Sequence, residues 1–273
     1  MKNVIDILQI SIRLQVMILD TIVKYSCIYS VTVLIFIACS GRVMSQDSSF
    51  LKSVDNAKDK VYRVEDSSGA FLGTAFAINR YGGLLTCAHV VGTRDTITLT
   101  SYVEYQSIVK ADTLCKRGTV TFRASVDTLI EQLDLAILSI DIESYGFIQI
   151  SYFGFARSRN LQEGEDIAIC AFIPDVFELP MPFVAKGIVS TVRNEIYFEK
   201  LKSTVSIIQM DLNVSKGTSG GPIFLPNTGR VIGIQRSALF DSKDSRQSSY
   251  AIAMTTDQVI AILDSLKIAY DVK

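Results

Sequence analysis

The sequence has almost no net charge and a single histidine, and both features narrow the possible functions. It carries 27 basic and 28 acidic residues, so it lacks the basic stripe that neutralises nucleic-acid phosphates. Nucleic acid is therefore not expected as a partner. One histidine and no CxxC pair argue against a His/Cys zinc cluster. We accordingly predict no metal and no cofactor.

Long hydrophobic runs are also scarce. The extended apolar run from Cys27 to Cys39 is short for a membrane span but has the size of a secretory signal core. We predict that residues 1–45 form a signal peptide or an N-terminal membrane anchor, with Met17 as an alternative start. The segment is cleaved near Ser45, lipidated at Cys39, or retained. In each case we expect an exported protein, periplasmic or secreted, that contacts a membrane only through this segment.

Disulfide bonds are not expected to stabilise the rest of the chain. Outside the leader the cysteines are Cys87, Cys115 and Cys170, and three cysteines cannot all pair within one chain. The chain has 273 residues and 48% of them are hydrophobic, which suits one sizeable core or two small ones. The fold is therefore expected to depend on buried apolar side chains.

Short β-branched and aromatic runs follow one another from Val61 onward, separated by Gly, Asn, Asp and Ser. Residues 183–192 and 195–200 count as two separate strands in this pattern. Asp257 to Ala269 alone repeats its apolar residues with the period of an amphipathic helix. The pattern predicts an all-β protein of two barrels, each with about six strands, and a C-terminal helix.

The domain boundaries follow from shifts in composition. Residues 46–60 are polar and are predicted to form a linker. The N-terminal β-barrel is expected at 61–150, and the C-terminal barrel with its helix at 151–273. Ser144 to Gly164 mixes glycines, aromatics and charges, so it is the candidate for the crossing between the two halves.

Two ionisable residues stand beside apolar strands. His89 follows Gly83–Thr86, and an isolated histidine there can be structural, but any mechanism that needs an imidazole base must use it. Asp134 begins an apolar strand, where a buried carboxylate needs a partner. A turn at the strand edge would explain Asp134 as well as a histidine would.

A glycine-rich turn lies between apolar stretches near the end of the chain, in VSKGTSGGPIF at 214–224. Glycines beside Ser219 allow positive φ and a close approach of bare amides. The Ser219 hydroxyl can then act as a nucleophile while the amides of Gly217 and Ser219 bind a developing oxyanion. A plain reversal of chain direction is the alternative.

These segments resemble the three signatures of the trypsin/chymotrypsin-like serine peptidases. They are TCAH at 86–89, DLAIL at 134–138 and GTSGGP at 217–222, in the chain order His, Asp, Ser. Residues 73–86 and Asp211 are most similar to the bacterial HtrA-type branch. The likeness extends from about Val61 to Lys267, and no PDZ domain is expected after it.

The resemblance implies a chymotrypsin-like fold of two six-stranded antiparallel β-barrels and a serine endopeptidase that acts on protein or peptide. It implies that His89 is the general base, that Asp134 orients it, and that Ser219 forms an acyl-enzyme. A catalytically silent binding or scaffold module and an esterase-like acyl hydrolase remain as alternatives. The oligomeric state is not predicted.

Four further residues are predicted to bind substrate. Asn213, six residues before Ser219, corresponds to the base of the primary specificity pocket, and because it is not acidic a preference for Lys or Arg is disfavoured. Gln235, Arg236 and Ser237 belong to the neighbouring strand. Arg236 either points outward or biases the pocket toward polar or acidic side chains.

Overall fold

A computed structural model describes residues 50–109, 112–145, 149–174, 181–198, 202–238 and 250–272, with the backbone alone at 102–118, 194–195, 198 and 237–238. The predicted leader at 1–45 lies outside these ranges. Leu51–Lys273 belongs to a single compact unit. Within the described ranges, no helix combines the length and the apolar character needed to cross a bilayer.

Six antiparallel strands close the first barrel in the order β1-β2-β3-β6-β5-β4. They are Val61–Glu65 (β1), Phe71–Ala77 (β2), Gly83–Thr86 (β3), Thr96–Val109 (β4), Asp112–Ile130 (β5) and Leu135–Ile140 (β6). Strand β1 pairs with both β2 and β4, which closes the sheet on itself. Fully buried side chains such as Phe76, Leu84, Leu99 and Leu138 fill the interior.

The second barrel repeats this closure in the order β10-β11-β12-β9-β8-β7. Its strands are Asp166–Ala171 (β7), Phe183–Phe198 (β8), Ser203–Asp211 (β9), Pro222–Leu225 (β10), Arg230–Ala238 (β11) and Tyr250–Thr255 (β12). Ile169, Ile208 and Ile232 belong to its core. The predicted all-β fold of two six-stranded antiparallel barrels is thus confirmed.

Strand β8 corrects one detail of the sequence prediction. The runs at 183–192 and 195–200 are not two strands, because β8 continues through the polar residues between them. The register of β8 against β9 shifts between Arg193 and Ile196, so the chain forms a bulge rather than a turn. A bulge and a turn can both place polar residues between two apolar runs, so composition does not distinguish them.

The C-terminal helix is present but shorter than predicted. It spans Thr256–Ser265, and its apolar face buries Val259, Ile260 and Leu263. Lys267 has φ 58°, and the amide of Ile268 donates to the carbonyl of Leu263, which is the bonding of a helix-ending Schellman motif. Glycine usually fills the left-handed position, so the sequence gives no signal for this end.

The stretch predicted as a linker is helical over residues 50–58 (α1). Val54 and Ala57 of α1 are buried, and the Ser53 hydroxyl donates to the carbonyl of Pro226 at 2.5 Å. The described part of this segment therefore packs against the rest of the chain as a helix. A short second helix, Ala88–Val91 (α2), follows β3, and Thr256–Ser265 is α3.

Two phenylalanines on the segment between β6 and β7 join the barrels. Phe153 packs against Phe76 and Phe224, with ring centroids 5.9 and 6.0 Å apart. Phe155 forms bridges with Val231 and with Val272. Because both rings are fully buried, the contact fixes the two barrels against each other. The cleft between the barrels contains the residues described next.

Candidate active site

Local backbone geometry brings His89 and Asp134 together. His89 lies in α2, one turn after β3, while Asp134 stands between a 3-10 turn at Glu131–Leu133 and β6. Asp134 has φ 54°, a left-handed conformation that aspartate tolerates better than most residues. Its carbonyl accepts the amide of Ala88 at 3.0 Å. Asp134 thus holds the start of α2 through its backbone.

The Asp134 carboxylate also binds the His89 ring. His89 Nδ1 lies 2.9 Å from Oδ1 and 2.8 Å from Oδ2, and the His89 amide donates to Oδ1 at 2.9 Å. The Asp134 side chain is 9% exposed and the His89 side chain is 50% exposed. The carboxylate is therefore enclosed, while part of the imidazole faces solvent.

Asp134 has a second partner, which the sequence did not suggest. Arg236 Nε donates to Asp134 Oδ2 at 3.2 Å, and the Arg236 side chain is only 8% exposed. Burial alone would raise the pKa of Asp134, but the His89 hydrogen bonds and the charges of His89 and Arg236 outweigh burial and lower that pKa. Asp134 is therefore ionised at neutral pH.

Ser219 approaches this pair from the opposite barrel. Its neighbour Gly220 has φ 84°, and a Cβ atom there would lie 3.2 Å from the amide nitrogen of Cys87, two residues before His89. The Ser219 hydroxyl donates to the carbonyl of Arg236 at 3.1 Å. Among the described residues, no hydrogen bond joins this hydroxyl to His89.

Thr74 of β2 ties the glycine-rich turn to the first barrel. Its hydroxyl donates to the carbonyl of Gly217 at 3.0 Å and accepts the amide of Phe172 at 2.9 Å. Its own amide donates to the carbonyl of Ser219 at 3.0 Å. Thr74 is fully buried, so these bonds have no competition from water.

Two amides of the turn have no internal acceptor among the described residues. Gly217 has φ 97° and is buried, and its carbonyl points to Thr74. Within the part of the chain that the structure describes, neither the Gly217 amide nor the Ser219 amide donates a hydrogen bond. Both are the amides predicted for an oxyanion hole.

The predicted substrate-binding residues divide into accessible and inaccessible ones. Asn213 is exposed, and the side chain of Ser237 lies outside the described atoms. Gln235 is 1% exposed, and its backbone pairs with Gly220 and Gly221. Arg236 does not point outward: its side chain is 8% exposed and turns to the buried carboxylate of Asp134, while an effect of Arg236 on the specificity pocket stays a prediction.

A cleft of about 520 Å³ opens beside His89. Its lining includes Gly92 and Thr93 after α2, together with Leu129, Glu131 and Lys202. The two charges are of opposite sign and both are exposed. The cleft therefore presents one charge of each sign near the imidazole, and Ser219 is not part of its lining.

Cys87 lies near the pair, because its sulfur and the donor atoms of His89 and Asp134 fall within 4.8 Å of one another. The thiol donates to the carbonyl of Gln235 at 3.3 Å. Burial raises the pKa of Cys87 well above its usual value. The high pKa keeps the Cys87 sulfur in its thiol form beside the Asp134 carboxylate.

A protein-family model matches the part of the chain that contains this site. Residues 73–234, more than half of the chain, match the model of the trypsin-like peptidase domain. The chain belongs to the trypsin-like peptidase family. The match begins in β2 and ends in β11, so it includes His89, Asp134 and Ser219. Membership supports a peptidase, which is a hydrolase.

The relatives of this trypsin-like peptidase are HtrA-type proteins, as the sequence predicted. A mitochondrial protein of Arabidopsis thaliana, named as Do-like protease 11, is 28% identical over 185 residues. That alignment covers 68% of this chain and 28% of the relative, so the chain spans just over a quarter of the relative's length.

Two solved structures share the fold. The HtrA-type protease AlgW, solved with a decapeptide, has a TM-score of 0.61 and 20% identity, and the match covers 80% of this chain and 67% of AlgW. Deg5 has a TM-score of 0.61 and 19% identity, over 84% of this chain and 98% of Deg5. At this identity the likeness concerns the fold alone.

Sequence reasoning missed the role of Thr74 and the contact of Arg236 with Asp134. Thr74 stands in the run GTAFAI, where nothing marks a threonine that bonds to a turn more than a hundred residues away. The direction of Arg236 depends on the local geometry of β11. Neither feature has a signal within its own segment of the sequence.

Proposed function

We propose that this chain is an exported serine endopeptidase that hydrolyses peptide bonds through an acyl-enzyme. The observation that carries the proposal is the contact of His89 Nδ1 with the enclosed carboxylate of Asp134. That contact fixes the ring so that Nε2 is the nitrogen left to act as a base. Export is proposed from the apolar run in the predicted leader.

The reaction begins with Ser219. Its hydroxyl turns from the Arg236 carbonyl toward His89 Nε2, gives up its proton there and attacks the carbonyl carbon of the substrate. Catalytic hydrogen bonds often become short only when substrate is bound. The amides of Gly217 and Ser219 then stabilise the oxygen that becomes negative.

Collapse of the tetrahedral intermediate breaks the peptide bond. His89 returns the proton to the leaving amine, and the acyl group stays on Ser219 until water, activated by the same imidazole, releases it as a carboxylic acid. Asp134 stabilises the imidazolium at each stage. A peptide substrate is proposed because AlgW, which shares the fold, was solved with a decapeptide.

Labelling with a fluorophosphonate tests the proposal. Mass spectrometry of the labelled full-length chain should find the adduct on Ser219, and casein should be cleaved by the same preparation. We expect Ser219→Ala to lower turnover by roughly 10⁴- to 10⁶-fold, and addition of His89→Ala to cost little more. Independent, multiplicative losses would contradict a joint mechanism.

The other outcomes separate the alternatives. Labelling of Ser219 with hydrolysis of short esters but not of casein would favour an esterase-like hydrolase. A folded chain that neither labels nor cleaves would favour a silent binding module. Circular dichroism of each variant serves as the folding control.

A further inference from the structure

Arg236 occupies an irregular position in β11. Gln235 pairs with Ala253 and Ser237 pairs with Ile252, so the register of β11 against β12 shifts at Arg236. A shift of this kind is a β-bulge, which interrupts the alternation of side chains and turns one of them to a new direction. At this bulge the arginine side chain faces the cleft between the barrels.

The bulge gives Arg236 two contacts with the proposed catalytic residues. Its guanidinium binds Asp134 Oδ2 at 3.2 Å, and its carbonyl accepts the Ser219 hydroxyl at 3.1 Å. A buried guanidinium is stable only when a carboxylate or other acceptors balance its charge. Asp134, itself 9% exposed, supplies a carboxylate.

The charge of Arg236 opposes a second cation on the same carboxylate. Asp134 contacts both Arg236 Nε and His89 Nδ1, so the guanidinium and the imidazole lie on either side of one anion. A carboxylate alone favours the protonated imidazole, whereas a nearby fixed cation disfavours it. Removal of the guanidinium charge should therefore favour the protonated imidazole.

Other ionisable groups lie near His89, and one of them is Arg94, which donates to the carbonyl of Val91 at 3.1 Å and lies 3.8 Å from Asp66. The Cys87 thiol, just before α2, stays protonated because burial raises its pKa. Glu131, before β6, and Lys202, before β9, line the cleft beside His89 and carry opposite charges. Both are exposed, so water screens them more than it screens the buried Asp134–Arg236 pair.

We propose that Arg236 is a positioning residue that offsets the charge of Asp134 and so allows His89 to act as a base at lower pH than Asp134 alone would permit. The catalytic part of this inference rests on the proposed function. The electrostatic part can be tested without turnover, because His89 is the only histidine in the chain.

The experiment is an NMR pH titration of the imidazole in the full-length chain, labelled with ¹⁵N-histidine. We expect the midpoint of the titration to rise by about one pH unit in Arg236→Gln, which keeps an amide donor but loses the charge. Arg236→Lys, the matched control, retains the cation and should titrate within about 0.3 of a unit of the natural chain. Arg236→Thr is a second uncharged variant, should the glutamine variant fail to fold.

The pH dependence of fluorophosphonate labelling should change in parallel. Its acid limb should move upward by the same amount in Arg236→Gln and stay in place in Arg236→Lys. An unchanged or lower midpoint in the uncharged variants would overturn the inference, as would an equal rise in the lysine variant. A rise in the imidazole midpoint without labelling at any pH would support charge compensation and reject the proposed function.

Discussion

Replacing Gly220 with alanine should destabilise the protein far more than the same replacement at Gly164. Both glycines have φ 84°, so alanine meets the same backbone strain at each position. At Gly220 a Cβ atom would lie 2.1 Å from the carbonyl oxygen of Thr74 and 2.3 Å from the hydroxyl of Thr86, whereas at Gly164 nothing lies within 4 Å. Comparing the two alanine variants therefore separates the cost of steric contact from the cost of backbone strain.

The expected size follows from these contacts. Strain at positive φ costs about 1 to 2 kcal/mol for a non-glycine residue, which is the whole effect expected for Gly164→Ala. In Gly220→Ala the turn must also move from Thr74, which weakens the bond from the Thr74 amide to the carbonyl of Ser219 and that from the Gly220 amide to the carbonyl of Gln235. A typical hydrogen bond contributes about 0.5 to 1.5 kcal/mol, so the strain and the two weakened bonds together should cost about 2 to 5 kcal/mol.

Urea denaturation followed by circular dichroism measures both variants. In thermal unfolding, the lower free energy of unfolding should reduce Tm by roughly 10 °C for Gly220→Ala and by about 3 °C for Gly164→Ala. Fluorophosphonate labelling should also fall in Gly220→Ala, because the displaced turn carries Ser219. Equal destabilisation of the two variants would refute the steric argument.

Two further changes test the groups around the site. Thr74→Val should lower the free energy of unfolding by about 2 to 4 kcal/mol, because the carbonyl of Gly217 and the amide of Phe172 lose their partner, whereas Thr74→Ser should lose much less because it keeps the hydroxyl. Asp134, whose pKa is lowered in the folded chain by His89 and Arg236 against the effect of burial, contributes stability that is fully present above its unfolded pKa of about 4 and is lost as the pH falls through its folded pKa. Urea denaturation at a series of pH values should show the gap between the natural chain and Asp134→Asn narrowing in acid, and a constant gap would contradict this assignment.

Much of the fold could be predicted because it depends on local patterns. Alternating β-branched and aromatic residues gave the strands of both barrels, and the apolar period after Asp257 gave α3. The end of α3 could not be predicted, since Lys267 occupies a left-handed position that glycine usually fills. The continuity of β8 was also missed, because a bulge and a turn have similar composition.

The candidate site shows the same division. His89, Asp134 and Ser219 could be predicted as candidate catalytic residues because each stands in a distinctive local segment and the chain has one histidine. These local segments do not predict which side-chain atoms contact one another in the folded chain. The hydrogen bond of the Ser219 hydroxyl to the Arg236 carbonyl depends on two strands of the second barrel and on their spacing.

The sequence by itself determined most of the strands, the order of the three candidate catalytic residues and the membership of a peptidase family. The tertiary structure alone decided that Arg236 turns inward to Asp134 and that Thr74 holds the glycine-rich turn. The physical reason is that secondary structure responds to neighbours along the chain, whereas the direction of a side chain at a bulge depends on register and on a carboxylate in the other barrel.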